Sequence, residues 1–470
     1  MNNTVSNTPV IGNLSKSKYI KTSRDVKIYE AITWLFLFVF YVLPQYFGFH
    51  LGIDFSAQRI MLILVLLLIL SSKANSEKFF YMIPRIKQTP LIGLYLFVTF
   101  YTMVLRADFS AFLNPFIEFL TFFVLLFLIK EQFGVEKTIK WITGFIYFLL
   151  IMGIIEYLNG ESLFAKLETL SGLYTGTFVR SGSYRIMGPA IHSLGYGLML
   201  ITMTPFVVFD SETNSITFLK RKFLLILLIA NVFLCGSRST LGVFFVEIIV
   251  LFLFSSSKHK KRFLSGFLPV FFIFAIFVFL TKNFGIGKYV MLQLTSIIDE
   301  IFGTSYSVAY GADTQLGNSS NYRSQLYYIF TLDWLNPLIG IGRKRVFSCE
   351  INGSYVYSVD NYYICEYIRY AYPGLISYIL IIIGFVKEEI KKLINYKKDA
   401  YTIVFLTGTI CAFINLQWID SLMNLKYIYL LFALALCRNL YSIPLIKKEK
   451  KDITGKKDTK SKYIKKSVLR

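Results

Sequence analysis

Three short segments of this chain carry side chains suited to gripping an anion and moving a proton beside it. In Cys235-Gly236-Ser237-Arg238-Ser239-Thr240, an arginine lies at the break between two apolar runs. Glycine and serine there leave backbone N–H groups free at the start of the next helix, so Arg238, that helix N-terminus and the hydroxyls of Ser237 and Ser239 make an anion site. The competing reading is an ion pair between Arg238 and a nearby carboxylate or head group. Arg323, in Ser320-Asn321-Tyr322-Arg323-Ser324-Gln325, opens a stretch with helical spacing. Its planar fork of donors fits phosphate oxygens better than a lysine would, and Tyr322 adds an aromatic face. In Val359-Asp360-Asn361-Tyr362-Tyr363, Asp360 has two equal readings. It is a general base or orienting group for a hydroxyl, with Asn361 as a second ligand, or it is the N-cap of an amphipathic helix.

A further basic segment runs from Arg180 through Tyr184-Arg185-Ile186-Met187 to His192, with Gly188-Pro189 breaking it before the next apolar run. Arg185 is expected at the outer rim as a ligand, and His192 as a packed or capping residue.

The elements that must position these residues are apolar. Of 470 residues, 55% are hydrophobic and 17% charged, against about a quarter charged in soluble domains. The apolar residues come in blocks, with neither strict alternation nor a single face. Ala31–Phe47, Ala57–Leu70, Pro90–Leu105, Phe112–Ile129 and Ile139–Leu158 read as five membrane spans. His192–Phe209, Leu219–Cys235, Thr240–Phe254, Phe263–Leu280, Tyr372–Val386, Tyr401–Leu416 and Leu422–Cys437 complete the set. Several are nearer 15 residues than the roughly 20 of a perpendicular span, so some ends lie inside the protein. The runs on either side of Arg238 rise only about 18–22 Å, against a hydrocarbon core of about 30 Å. Arg238 is therefore expected at the bottom of a recess.

Charge sets the orientation. Lys16, Lys18, Lys21, Arg24 and Lys27 precede the first run, and every second loop repeats that density, as in Lys258, Lys260, Lys261 and Arg262. The loops between are poor in basic residues or balanced. The positive-inside rule then puts both termini in the cytoplasm, which needs an even number of spans, and about twelve fits. The net charge of +22 lies along one membrane face, which argues against the nucleic-acid partner a basic chain otherwise suggests. The lysine-rich end after Ile446 reads as a disordered arm on anionic lipid. The polar first 30 residues hold no cleavable signal.

Five cysteines and three histidines show no metal-ligand spacing, so neither a metal nor another cofactor is expected. Cys349 and Cys365 share the outer side, with free thiols favoured over a disulfide. The matched halves of many transporters are not visible. Glu118, Glu156, Glu247 and Asp420 are read as interhelical hydrogen-bond partners.

The loop from about 282 to 371 is too long for a plain connection and too aromatic for disorder. Within it Asn321–Leu335 has helical spacing, Asn336-Pro337 stops that helix, Ile339-Gly340-Ile341-Gly342 is a turn, and Asp360–Tyr372 is a second amphipathic helix. A small helical cap on the outer face is expected. Its arginines suit a diphosphate, and its tyrosines suit sugar rings and an isoprenoid chain.

On these residues the chain resembles the bacterial O-antigen and capsule repeat-unit polymerases and the related O-antigen ligases. The resemblance covers the whole topology. Its motifs are the Gly236-Ser237-Arg238-Ser239 hinge, the Arg323 helix followed by Asn336-Pro337-Leu338-Ile339-Gly340-Ile341-Gly342, and Asp360-Asn361 followed by Tyr372-Pro373-Gly374-Leu375. Asp360 stands where many members have a histidine. The fold implied is an all-α, polytopic integral membrane protein of the bacterial inner (cell) membrane, with about twelve transmembrane helices. A cytoplasmic arm spans 1–30, and spans one to nine cover 31–281 with an outer loop at 159–190. The extracytoplasmic cap covers 282–371, the last three spans 372–437, and a basic cytoplasmic tail 438–470.

The activity the resemblance implies is that of a metal-independent glycosyltransferase. It moves a growing glycan from undecaprenyl diphosphate to another carrier-linked repeat unit. Arg238 and Arg323 would neutralise the leaving diphosphate, and Asp360 would orient or deprotonate the acceptor. Arg185, Ser237, Ser239, Tyr322 and Asn361 would bind substrate. The partners implied are undecaprenyl-diphosphate-linked oligosaccharide, membrane lipids and a chain-length regulator. The alternatives are a ligase of the same fold, a lipid-linked oligosaccharide flippase, and a metal-dependent transferase using outer-loop acids. The last has little to build on, because Asp299-Glu300 is the one adjacent acidic pair it offers.

Overall fold

Backbone groups in runs of Leu, Ile and Phe find no partners in an apolar medium and must bond to one another. Each of the twelve apolar stretches is accordingly helical. The computed structural model describes residues 23–440 except 52–53, 171, 175, 177, 181–182, 313–321, 352, 357, 396–398 and 421–423. Of the arm expected over 1–30, residues 1–22 lie outside the described residues and 23–30 are already helical; the basic tail after 440 and the first residues of the stretches starting at Asn321 and Leu422 also lie outside them.

In chain order the longer helices are α1 (Ser23–Val42), α2 (Ala57–Leu70), α3 (Lys73–Met82), α4 (Thr89–Arg106), α5 (Phe109–Leu128), α6 (Val135–Asn159) and α7 (Ser193–Val208). They continue with α8 (Lys222–Leu234), α9 (Arg238–Phe254), α10 (Ser257–Leu280), α11 (Gly285–Phe302), α12 (Tyr362–Asn395), α13 (Ala400–Asn415) and α14 (Leu425–Leu440). Among the described residues four antiparallel two-stranded ladders interrupt them. These are β1 (Gly48–His50) with β2 (Asp54–Ser56), β3 (Val179–Arg180) with β4 (Ser183–Tyr184), β5 (Phe209–Asp210) with β6 (Ser215–Ile216), and β7 (Cys349–Ile351) with β8 (Ser354–Val356).

Against about twelve expected spans, several of them short, helix length and composition single out fewer that reach across a membrane unaided. Among the described residues five helices are long and apolar enough to cross a membrane alone: Thr89–Arg106, Phe109–Phe133, Val135–Asn159, Ser257–Leu280 and Tyr362–Ile394. Ala57–Leu70 and Lys73–Arg85 qualify together but are bent by 109°. Others are short; α8 has 13 residues and rises only about 20 Å. Short apolar helices have to be covered by protein, and α7, α13 and α14 are buried almost all round, as befits helices apolar on every face. They pack on one another and on α5 and α9. In contrast, Val278 is the single buried residue of α10.

The cap departs from the expected all-helical form. Residues 322–325 make one α-turn, which tightens to a 3-10 helix over Leu326–Thr331, and β7–β8 adds a hairpin. α11 is a helix that no sequence motif indicated. Leu326, Ile329, Leu335, Ile341, Val356 and Ile368 belong to a second hydrophobic core separate from the main one. Cys349 and Cys365 are both buried free thiols.

A break in α12 shapes what lies beneath the cap. Pro373 has no N–H to give, and Ala371 adopts φ 57° and ψ −163°, so the helix kinks there. The amide of Tyr372 turns instead to Pro337 O at 3.1 Å. The carbonyls of Ile368 and Arg369 thereby lose their helical donors, and the glycine turn replaces them. Ile341 N donates to Ile368 O at 2.9 Å and Gly342 N to Arg369 O at 3.1 Å. Gly340 approaches so closely that a Cβ would stand 2.1 Å from Arg369 O. From α4, Arg106 donates to Gly340 O through Nε at 2.7 Å and to Ile339 O through Nη2 at 3.1 Å. The Asn336–Gly342 and Tyr372–Gly374 motifs, far apart in sequence, form one joint.

Candidate functional site

Asp108 directs the chain as it leaves this joint. It caps α5 by accepting from Ser110 N at 3.0 Å, and its Oδ2 accepts from the amides of Arg343 at 2.6 Å and Lys344 at 2.7 Å. Burial pushes the Asp108 carboxyl up, but bonds from Ser110, Lys344 and Arg343 outweigh it and hold the group below the usual carboxylate range. Gly342 supplies the φ of +83° that this turn requires.

Three arginines are thereby brought together. Arg343 donates from Nε to Tyr370 Oη at 2.7 Å, and its Nη2 lies 3.8 Å from Glu366. Glu366 is fully buried and accepts from Tyr95 Oη at 2.5 Å. Arg369, one turn beyond Glu366 on α12, meets Asp420 with both guanidinium ends, at 2.7 and 3.3 Å. Arg345 is exposed and has no ion pair among the described residues. With Asp360 and Asp420, the three arginines line a cavity of about 260 Å³. Arg369 is matched by Asp420, whereas Arg345 can close its fork on phosphate oxygens, with Asp360 nearby to accept a proton.

The Asp360 carboxylate accepts from Ser358 Oγ at 3.1 Å. It does not cap α12. Asn361 does, its Oδ1 accepting from Tyr363 N at 3.0 Å and Ile364 N at 3.1 Å, while its Nδ2 donates to Gln417 at 3.3 Å. The N-cap reading of Asp360 is thus corrected by one residue, and Asn361 spends its side chain on local structure. Tyr322 braces the same strip by donating to Ser358 O and accepting from Ser358 N at 3.2 Å. Arg323 does not line this cavity, and its buried Nε has no hydrogen-bond partner among the described residues.

Arg238 does not line the cavity either. It starts α9, where Ser237 accepts from Thr240 N at 3.3 Å and Thr240 Oγ1 at 2.9 Å, with Ser239 Oγ 3.2 Å away. Its Nη1 lies 2.8 Å from Glu300 of α11, so the ion-pair reading is the one observed. Arg185, expected at the outer rim, is buried instead. Its Nε donates to Cys235 O at 2.9 Å, and its guanidinium covers the Phe178 ring at 5.1 Å. Gly236, at φ +60°, leaves room for that side chain. His192 caps α7, Nδ1 accepting from Leu194 N at 3.1 Å, with its ring 4.7 Å from Phe178. Glu156 binds the loop rather than a helix, accepting from Tyr184 Oη and from the amides of Met187 and Gly188.

Arg343, Arg345 and Arg369 were the residues missed by motif reading. A signal existed: Arg343-Lys344-Arg345 is a basic run directly after a glycine turn, in a loop that topology alone would leave poor in cations. Among the described residues no three His, Cys, Asp or Glu side chains converge as a metal site. Compared with known proteins, the chain matches no family model and no curated protein.

Proposed function

We propose that this protein is a multi-pass bacterial cell-membrane glycosyltransferase that polymerises lipid-linked repeat units, with the cap facing outward and both termini cytoplasmic. The observation that carries the reading is the meeting of Arg343, Arg345 and Arg369 with Asp360 in one cavity beneath an aromatic cap. Undecaprenyl-diphosphate-linked glycan would place its diphosphate against Arg345 and Arg343. The acceptor hydroxyl of a second repeat unit attacks the anomeric carbon and gives its proton to Asp360. The bond from that carbon to the phosphate oxygen breaks, and the diphosphate carries off the electron pair, its charge met by the arginines. Arg345 here takes the role first assigned to Arg238, because a phosphate at Arg238 would have to displace Glu300. Tyr322, bonded to Ser358 beside Asp360, and its chain neighbour Arg323 would meet the glycan.

The test uses Asp360→Asn, which keeps the side-chain size and, since Asn361 is the cap, leaves α12 intact. Cells with this variant at normal protein level should lose most long glycan. Normal chain length and amount would refute Asp360 as the base.

A further inference from the structure

A second cavity, of about 130 Å³, lies among α1, α2, α5 and α14, and Arg343 lines it as well as the first. Its other charged residues are Arg59, Lys426 and Glu118. Charges among apolar helices are expensive and persist where they have work to do. Arg59 spends Nη2 on Asn114 Oδ1 at 2.8 Å and Nη1 on the Asp54 carbonyl at 2.9 Å. Lys426, only 9% exposed, donates one hydrogen bond to Phe40 O at 2.9 Å and sits 4.7 Å from the Tyr427 ring. No carboxylate pairs with its ammonium among the described residues, and an ammonium has three donors. Glu118 faces the cavity with no ion pair of its own among those residues.

Glu366, 3.8 Å from Arg343, and Glu118 together leave one of the three cations in excess, and Lys426 is the buried one with no carboxylate against it among the described residues. An apolar side chain at residue 426 would remove that burden, so the arrangement makes sense when an anion completes it. Arg59, Asn114 and Glu118 are partly exposed, so the cavity is open to entry. Arginine forks and an ammonium around one small polar space suit a compact, multiply charged oxyanion. We infer that this cavity is a second phosphate site, with Lys426, Arg59 and Arg343 as ligands and Glu118 as a built-in opponent that weakens binding. The phosphate is either part of a lipid or free in solution. The site shares Arg343 with the first cavity, whereas Lys426, Arg59 and Glu118 line this one alone.

The test is binding to purified full-length protein in phosphatidylcholine nanodiscs, with inorganic phosphate and farnesyl diphosphate as probes. Lys426→Met should weaken binding about 10-fold, and Glu118→Gln should tighten it by about as much, the scale of one charge-assisted contact. A misfolded variant does not gain affinity, so the opposite signs separate a site from a folding defect. Both changes should persist in an Arg345→Ala background, which removes a cation of the first cavity only. Equal competition by inorganic phosphate identifies a free ion. Preference for the isoprenyl probe, or its displacement in nanodiscs containing phosphatidylglycerol, identifies a lipid-borne group. Unchanged affinity in both variants, weakening in both, or loss of all binding through Arg345→Ala alone would overturn the second site.

Discussion

Arg369 holds Asp420 with both ends of its guanidinium, Nη2 to Oδ2 at 2.7 Å and Nη1 to Oδ1 at 3.3 Å. This forked pair ties the last turn of α12 before its kink to the segment leading into α14. It also leaves Arg345 as the cavity arginine with no ion pair among the described residues. Both partners are about three-quarters covered, so the pair is screened less than a surface one.

Asp420→Ala should therefore lower unfolding free energy by about 2 kcal/mol, the scale of a lost charged hydrogen-bonded contact, with Arg369 left to Glu366 at 3.7 Å. Removing both partners, as Arg369→Met with Asp420→Ala, should cost less than the sum of the single changes. Thermal unfolding of the purified variants in a double-mutant cycle measures the coupling, and strict additivity would show that the pair contributes nothing.

Gly340 stands against backbone, where nothing can yield: a Cβ would lie 2.1 Å from Arg369 O and 2.3 Å from Tyr370 N. Gly340→Ala should cost at least about 3 kcal/mol, the upper range of overpacking. It should sharply reduce folded protein recovered from membranes. Gly93→Ala in α4 is the control, since a Cβ there meets nothing within 4 Å. It should be neutral or stabilising by up to about 1 kcal/mol. Equal recovery of the two variants would contradict the joint described here.

Orientation is open to labelling because all five native cysteines are buried, which keeps the background low. Ser348, in the cap, and Ser257, at the start of α10, are both exposed. A membrane-impermeant thiol reagent on intact cells should label Ser348→Cys and spare Ser257→Cys, which sits in a basic loop. The reverse pattern would turn the protein over and move the proposed site to the wrong face.

Helices were legible because their signal is local. Apolar runs dictated α2 to the residue and most others within a few positions. How much membrane each helix crosses was not legible, since that depends on which helices neighbours cover, as with α7 and α13. The cap hairpin and α11 were missed because they rest on contacts with the rest of the chain, not on periodicity. Asp360 lines a cavity, and the cap role falls to Asn361 because the helix starts one residue later than the sequence suggests. The partners of Arg185 and Arg238, the Cys235 carbonyl and Glu300, were not legible because tertiary packing sets them. Arg343 and Arg369 escaped because only the kink at Ala371 and the glycine turn bring them together.

The role proposed for Arg345 and its neighbours is to hold a leaving diphosphate. Its most direct measurement is glycan elongation by purified protein supplied with lipid-diphosphate-linked repeat units, followed on a gel. Arg345→Ala should slow elongation about 100-fold, the scale of one lost contact to a developing anion. Arg345→Lys should recover only part, since an ammonium lacks the forked geometry. Folding should be unaffected because the side chain is exposed and makes no ion pair among the described residues. Elongation at the wild-type rate in Arg345→Ala, or none by the wild-type protein, would contradict the account.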